Sequence, residues 1–268
     1  MNEAPIGVFD SGMGGLTVLR ALAERLPNES LVYLGDTARL PYGTKSADTV
    51  RRYAIQASRA LVSRGVKMIV IACNTASVSL AAVQEVLAPL PVLGVIEPGA
   101  AAAVAAAPRG PIAVLATEGT VRHGAYVGAI RARATDITIV QQTCPLFVPI
   151  AEEGLTAGPI VEAIAHRYLD PLMSSIPRPK CLLLGCTHYP VLKPAIARLA
   201  PDVALVDSAI TTADAVAGLL HERHIGAGSR ERRLQFLVTD APDRFARIGE
   251  IFFGQPIDPG SIELVDLQ

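Results

Sequence analysis

The sequence has almost no net charge, few aromatic residues and no long apolar run, and each lack excludes something. Its 24 Lys and Arg residues are matched by 25 Asp and Glu, for a formal charge of −1. That balance carries no electrostatic footprint for nucleic acid or an anionic membrane. The one basic run, Arg230-Glu231-Arg232-Arg233, reads as a solvated edge ahead of a strand. No stretch approaches the roughly 20 apolar residues of a membrane helix. The longest apolar helical candidate, Gly99 to Ala107, is too short. No basic segment followed by an apolar core opens the chain, so a secretory leader is not expected and a cytoplasmic location is. Tryptophan is absent and aromatics reach only 4%, while alanine, which favours helices, is abundant. Only four cysteines occur, Cys73, Cys144, Cys181 and Cys186, at spacings of 71, 37 and 5. None forms a Cys-x2-Cys pair, so no metal site is expected, and in a reducing cytosol all four are expected as thiols.

What is present is an alternation of strand-like and helix-like runs over 268 residues, half of them apolar. Strands are expected at Ile6–Phe9, Leu31–Leu34, Met68–Ala72, Val92–Val95, Ile112–Ala116, Ile137–Val140, Cys181–Leu184, Ala204–Val206 and Leu234–Val238. Helical segments between them include Leu16–Leu26, Ala47–Arg64, Ser77–Leu87, Val121–Arg131, Ile160–Met173 and Ala209–Arg223. Such alternation predicts an α/β fold with mostly parallel sheets, in which ligands bind beyond the carboxyl ends of the strands.

Two series of strand ends look alike. Asp10 to Asp36 spans 26 positions, as does Thr117 to Thr143; Asp36 to Cys73 spans 37 and Thr143 to Cys186 spans 43. A hydrophobic strand, a small residue, a cysteine and two polar residues occur twice, as Ile71-Ala72-Cys73-Asn74-Thr75 and Leu184-Gly185-Cys186-Thr187-His188. The expected architecture is therefore two pseudo-symmetric α/β domains with the active site in the cleft between them. One domain would comprise residues 1–97 plus 207–268, the other 98–206.

Each of these cysteines sits at an expected strand-to-helix turn, where a helix N-terminus can lower a thiol's pKa. Asn74, Thr75 and Ser77 can cap the helix after Cys73; Thr187 can cap the one after Cys186, with Pro190 in its first turn. Cys181, opening a buried strand, and Cys144, before Pro145, read as buried structural thiols. Two thiols on one pocket admit redox exchange, which more often uses Cys-x-x-Cys geometry, or two-base proton transfer across a stereocentre. The run Gly12-Met13-Gly14-Gly15 matches neither the phosphate loop nor the dinucleotide fingerprint and reads as a close-packed loop around a small anion.

In this order, Gly7-Val8-Phe9-Asp10-Ser11-Gly12-Met13-Gly14-Gly15, Gly35-Asp36-Thr37-Ala38-Arg39 with Pro41-Tyr42-Gly43, Ala72-Cys73-Asn74-Thr75-Ala76 and Leu184-Gly185-Cys186-Thr187-His188-Tyr189-Pro190 carry a specific resemblance. The chain resembles the glutamate racemases of the cofactor-independent aspartate/glutamate racemase superfamily, from Ile6 to at least Ser208. The resemblance implies that Cys73 deprotonates D-glutamate and Cys186 L-glutamate, with no cofactor. Asp10 would assist Cys73, His188 would assist Cys186, and Glu152 would orient His188. It also implies a substrate-binding set of Asp10, Ser11, Tyr42, Gly43, Asn74, Thr75, Thr187 and His188, with Asp36 and Thr117 as further members. It implies a homodimer that supplies D-glutamate for peptidoglycan, and hence for cell-wall biogenesis and cell shape. The chain starts close to Asp10 and lacks the N-terminal extension of some members, so activation by a cell-wall precursor is not expected.

Overall fold

The computed structural model describes residues 2–228 and 232–267. The chain runs through β1 (Ile6–Asp10), α1 (Leu16–Arg25), β2 (Leu31–Gly35), α2 (Ala47–Val62), β3 (Met68–Ile71), α3 (Asn74–Ser77), α4 (Leu80–Leu87), β4 (Val92–Gly94) and α5 (Ile96–Ala106). A second series follows: β5 (Ile112–Ala116), α6 (Glu118–His123), α7 (Ala125–Arg131), β6 (Ile139–Thr143), α8 (Phe147–Glu152), α9 (Pro159–Met173), β7 (Cys181–Gly185), α10 (Lys193–Leu199), β8 (Ala204–Asp207) and α11 (Ser208–Glu222). The chain closes with β9 (Leu234–Val238), α12 (Pro242–Phe253) and β10 (Ile262–Leu264).

Two parallel sheets result. One has the order β10-β9-β2-β1-β3-β4 and the other β6-β5-β7-β8. The order β2-β1-β3-β4 is the order β6-β5-β7-β8 repeated, so the second series copies the first. The last two strands return to the first sheet and extend it beyond β2. α11 carries the chain back across, packed on α1 and α5.

The central strands are apolar without alternation because both faces are covered. Along β3, Met68, Val70 and Ala72 enter the core beneath α1 and α12, while Ile69, Ile71 and Cys73 enter the core beneath α2. In β7, Leu182, Leu184 and Cys186 face one core and Cys181 and Leu183 the other. Each fully buried Leu, Ile or Phe here stabilises the fold by roughly 1.5–3 kcal/mol relative to exposure.

Several elements depart from expectation. β6 occupies Ile139–Thr143 rather than Ile137–Val140. It is a half-buried edge strand, so its ladder with β5 continues through the polar Gln141, Gln142 and Thr143 after the hydropathy signal has stopped. Of the segment Ser77–Leu87, α4 takes Leu80–Leu87, while Ser77 ends the separate short helix α3. The segment Val121–Arg131 is broken at Gly124, whose φ of 64° ends α6 in the left-handed conformation that glycine favours. α12 and β10 were not anticipated. Of the basic run, Arg230 and Glu231 lie outside the described residues; Arg232 donates from Nη1 to the Ala23 carbonyl at 2.7 Å, just ahead of β9. Among the described residues no helix is long and apolar enough to cross a membrane.

Candidate active site

The strand registers place the two cysteines at the same point of the repeat. Met68 pairs with Ile6 and Cys181 with Ile112, so Cys73 and Cys186 stand at the same step from the starts of β3 and β7. The equal spacings in sequence do not carry over to the other strand ends. At the step that Asp10 occupies in β1, β5 carries Ala116, and Thr117 corresponds to Ser11. Hydrogen-bond register, not residue count, defines equivalence.

Both cysteines line one cavity of ≈ 190 Å³ at the carboxyl ends of the two sheets. Ser11, Tyr42, Gly43, Asn74, Thr75, Thr187 and His188 line it with them, as does Thr117. Asp10 and Glu152 stand behind this lining and touch residues that form it. Asp36 lies deeper. Its fully buried carboxylate accepts from the Tyr42 hydroxyl, from Arg39 Nε at 2.7 Å and from Thr239 at 3.0 Å, so it holds Tyr42 in place rather than facing the cavity. Burial, and then the Asp36 charge, push the Tyr42 phenol well up, which keeps its proton on this bond.

Cys73 caps α3 itself: its Sγ accepts from the Ala76 N–H at 3.4 Å. Asn74, Thr75 and Ser77 are inside that helix rather than at its cap. The thiol lies 3.6 Å from Ser11 Oγ. Burial, and then the Asp10 charge, push it up to about 12 against the opposing Ala76 N–H and Ser11 hydroxyl. Thr75 Oγ1 contacts Thr117 and Thr120 at 3.1 and 3.2 Å, joining the halves across the cavity floor. Asn74 Nδ2 donates to Tyr126 in the second half at 2.7 Å, and its buried Oδ1 has no hydrogen-bond partner among the described residues.

The glycine run explains how Asp10 is held. Gly12 N–H donates to Asp10 Oδ2 at 3.0 Å, and the amides of Gly15 and Ser11 also favour the charge. The anion this loop surrounds is therefore the protein's own carboxylate. Burial nevertheless raises the Asp10 carboxyl above its ordinary value, despite His188 and these amides. A Cβ on Gly15 would lie 2.4 Å from Asp10 Cβ, and one on Gly14 would lie 2.4 Å from His188 Nδ1 and 2.5 Å from Thr187 Oγ1. The two glycines let α1 approach both halves of the site.

At the other end, His188 Nδ1 is 3.9 Å from Cys186 Sγ and its Nε2 is 3.2 Å from Glu152 Oε1. Burial alone would lower the imidazole, but contacts with Cys186 and Glu152, with the Asp10 charge, carry it up to about 10. Thr187 does not cap a helix; its hydroxyl lies 3.5 Å from Asp10 Oδ1, and Pro190 falls in a 3-10 turn, Tyr189–Leu192, ahead of α10. The sequence reading missed Phe252, whose ring meets His188 edge-on at 5.0 Å, and Arg244, which donates to Glu152 Oε2 at 3.0 Å. Both are on α12. Pro242 followed by apolar Phe245, Ile248 and Phe252 at helical spacing was the signal available. Cys144 and Cys181 are buried and burial raises both thiols, to about 12 for Cys181.

These features define a class of α/β enzyme built as a duplicated parallel sheet with a thiol from each copy on a shared cavity. A family model described as Asp/Glu/Hydantoin racemase matches residues 6–216. The chain is 46% identical over 265 residues to a glutamate racemase of Syntrophus aciditrophicus, covering 98% of this chain and 97% of that one. It is 45% identical over 267 residues to one from Neisseria gonorrhoeae, covering 99% and 97%. The crystal structure of glutamate racemase from Francisella tularensis in complex with D-glutamate matches with a TM-score of 0.92 at 38% identity, over 100% of this chain and 99% of that chain. The chain belongs to the Asp/Glu/Hydantoin racemase family. It is an isomerase, an amino-acid racemase.

Proposed function

We propose that the chain interconverts L- and D-glutamate by moving the Cα proton between Cys73 and Cys186, without a cofactor. The observation that carries this reading is the pair of thiols at register-equivalent strand ends, both lining one cavity. Enantiomers differ in the face from which Cα–H leaves, so one base on each side suffices. Starting from L-glutamate, the Cys186 thiolate takes the proton, the electron pair stays on the substrate, and the Cys73 thiol delivers its proton to the opposite face. Cys186 ends as thiol and Cys73 as thiolate; the reverse sequence converts D-glutamate and resets both.

Cα–H is a very weak acid, so fixed dipoles in a water-poor pocket must stabilise the carbanionic state. Ser11, Tyr42, Gly43, Asn74, Thr75, Thr187 and His188 hold the substrate, with Asp10 behind them. His188, charged at neutral pH, is the cationic partner of the Cys186 sulfur, and Glu152 orients it. A buried Asp10 charge opposes a thiolate on Cys73, so proton uptake by Asp10 accompanies deprotonation of that thiol. Residues 1–97 plus 207–268 form one domain and 98–206 the other, and their closure over the substrate excludes water. The enzyme works in the cytoplasm as a homodimer and supplies D-glutamate for peptidoglycan.

Chiral assay of L-glutamate and L-aspartate tests the substrate. One methylene is worth about 10- to 200-fold in discrimination, so glutamate is expected to win by that order. Equal or faster turnover of aspartate would contradict the assignment.

A further inference from the structure

Arg244 belongs to α12, which packs on the first sheet, yet its guanidinium crosses to the second half. Its Nη2 donates to Glu152 Oε2 at 3.0 Å, and Glu152 Oε1 lies 3.2 Å from His188 Nε2. His188 Nδ1 in turn lies 3.9 Å from Cys186 Sγ. The carboxylate thus spends one oxygen on each cation. Arg244, Ile251 and Phe252 stand seven and eight positions apart, on one helix face. Phe252 packs its ring against His188 at 5.0 Å. A Cβ on Gly154, two residues after Glu152, would meet Ile251 Cδ1 at 3.4 Å. One face of α12 therefore walls the Cys186 end of the site.

A carboxylate bonded at one oxygen can swing about its side chain; one bonded at both oxygens has its plane fixed. Burial pushes the Glu152 carboxyl up, but His188 and Arg244 together bring it below its ordinary value. Among the described residues the Cys73 end has no such ion-pair chain: that sulfur meets the Ser11 hydroxyl and the Ala76 amide, and Asp10 is held by backbone amides and the Thr187 hydroxyl.

We propose that Arg244 is a positioning residue for proton transfer at Cys186, acting through Glu152 to keep the His188 ring turned with Nδ1 toward the sulfur. This rests on the reading of Cys186 as a proton-transfer group. The groups that face His188 are Cys186 and Thr187 from its own loop, Asp10 from β1, Glu152 from α8 and the uncharged Phe252 from α12, with Arg244 behind Glu152. Arg244 is 42% exposed at its side chain, so its replacement removes little packing.

The test compares Arg244→Ala and Arg244→Lys with wild type in the full chain. The two enantiomers are equal in energy, so kcat/KM must fall equally in both directions, by about 3- to 10-fold for a displaced supporting group, mostly in kcat. Two further readouts separate positioning from a merely structural role. The acid limb of the pH profile moves to higher pH, because a cation that holds Glu152 ionised is gone. The primary isotope effect rises with L-[2-²H]glutamate, from which Cys186 takes the deuteron, and falls with D-[2-²H]glutamate. Arg244→Lys restores most of each. A folded Arg244→Ala enzyme with an unmoved acid limb and unmoved isotope effects would overturn the proposal alone. If Cys186→Ala itself still racemises glutamate, the underlying reading fails and the proposal falls with it.

Discussion

Cys73 and Cys186 hold the same step of two copies of one strand order, yet their surroundings have diverged. Cys73 meets a hydroxyl, a helix amide and a buried carboxylate, and its thiol is pushed up to about 12. Cys186 meets an imidazole that the sulfur itself, Glu152 and the Asp10 charge carry up to about 10 against burial, and Glu152 is bonded in turn to the half-exposed Arg244. The repeated strand order places one sulfur in each half, while the polar partners differ: one end faces an anionic neighbour and the other a cationic one.

The comparison breaks most completely if either sulfur is removed. Cys73→Ala and Cys186→Ala are each expected to lose racemisation by at least about 10³-fold, in the range of positioned acid–base groups, with melting temperatures close to wild type. Activity surviving in one variant would show that the two ends are not both required.

The glycines of the α1 loop offer a smaller, sharper contrast. Gly14→Ala drives a methyl to 2.4 Å from His188, and Gly15→Ala drives one to 2.4 Å from Asp10 Cβ. Overpacking of this kind costs about 1–3 kcal/mol, read as a fall of several degrees in melting temperature. Both variants should also lose activity. The primary isotope effect should rise on the L side for Gly14→Ala and on the D side for Gly15→Ala. The same isotope pattern in both would mean that the ends are not separable.

Glu152→Gln, a neutral mimic of the protonated carboxyl between His188 and Arg244, is expected to lose less activity than the cysteine variants but at least as much as Arg244→Ala, and to carry a definite pH signature in stability. Glu152 helps to hold the His188 imidazole up to about 10, against an ordinary value of about 6.5. A raised pKa contributes stability that is fully present below the unfolded value and is lost as pH rises through the folded one. The melting-temperature gap between wild type and Glu152→Gln should thus be widest near pH 6 and close toward pH 10. A gap that widens with pH would contradict the ion-pair assignment.

Much of this was legible in the chain. Cysteine, aspartate and histidine directly after apolar runs mark strand ends, and the α/β alternation with its two series is the sheet order that the structure has. What escaped depends on contacts distant in sequence. Equal counts of 26 residues suggested that Asp10 matches Thr117, whereas the ladders match it with Ala116, because loop residues count in sequence but not in register. Glu152 came from the resemblance and not from any pattern in the chain; in the structure α8 turns Glu152 onto His188 and leaves the adjacent Glu153 exposed. The glycine loop was read as enclosing an anion from outside, while its amides serve Asp10 within it. Arg244 and Phe252 were invisible as site residues because only the return of the chain to the first sheet brings α12 to His188.

The central claim, that two different groups handle the proton on the two faces, is tested most directly by running L-glutamate in D2O to early conversion, separating the enantiomers on a chiral phase and reading the Cα–H of each by proton NMR. The account predicts D-glutamate that carries deuterium at Cα, while the remaining L-glutamate keeps its proton. D-glutamate that retains the original proton would mean that a single group serves both faces, and the two-cysteine account would be wrong.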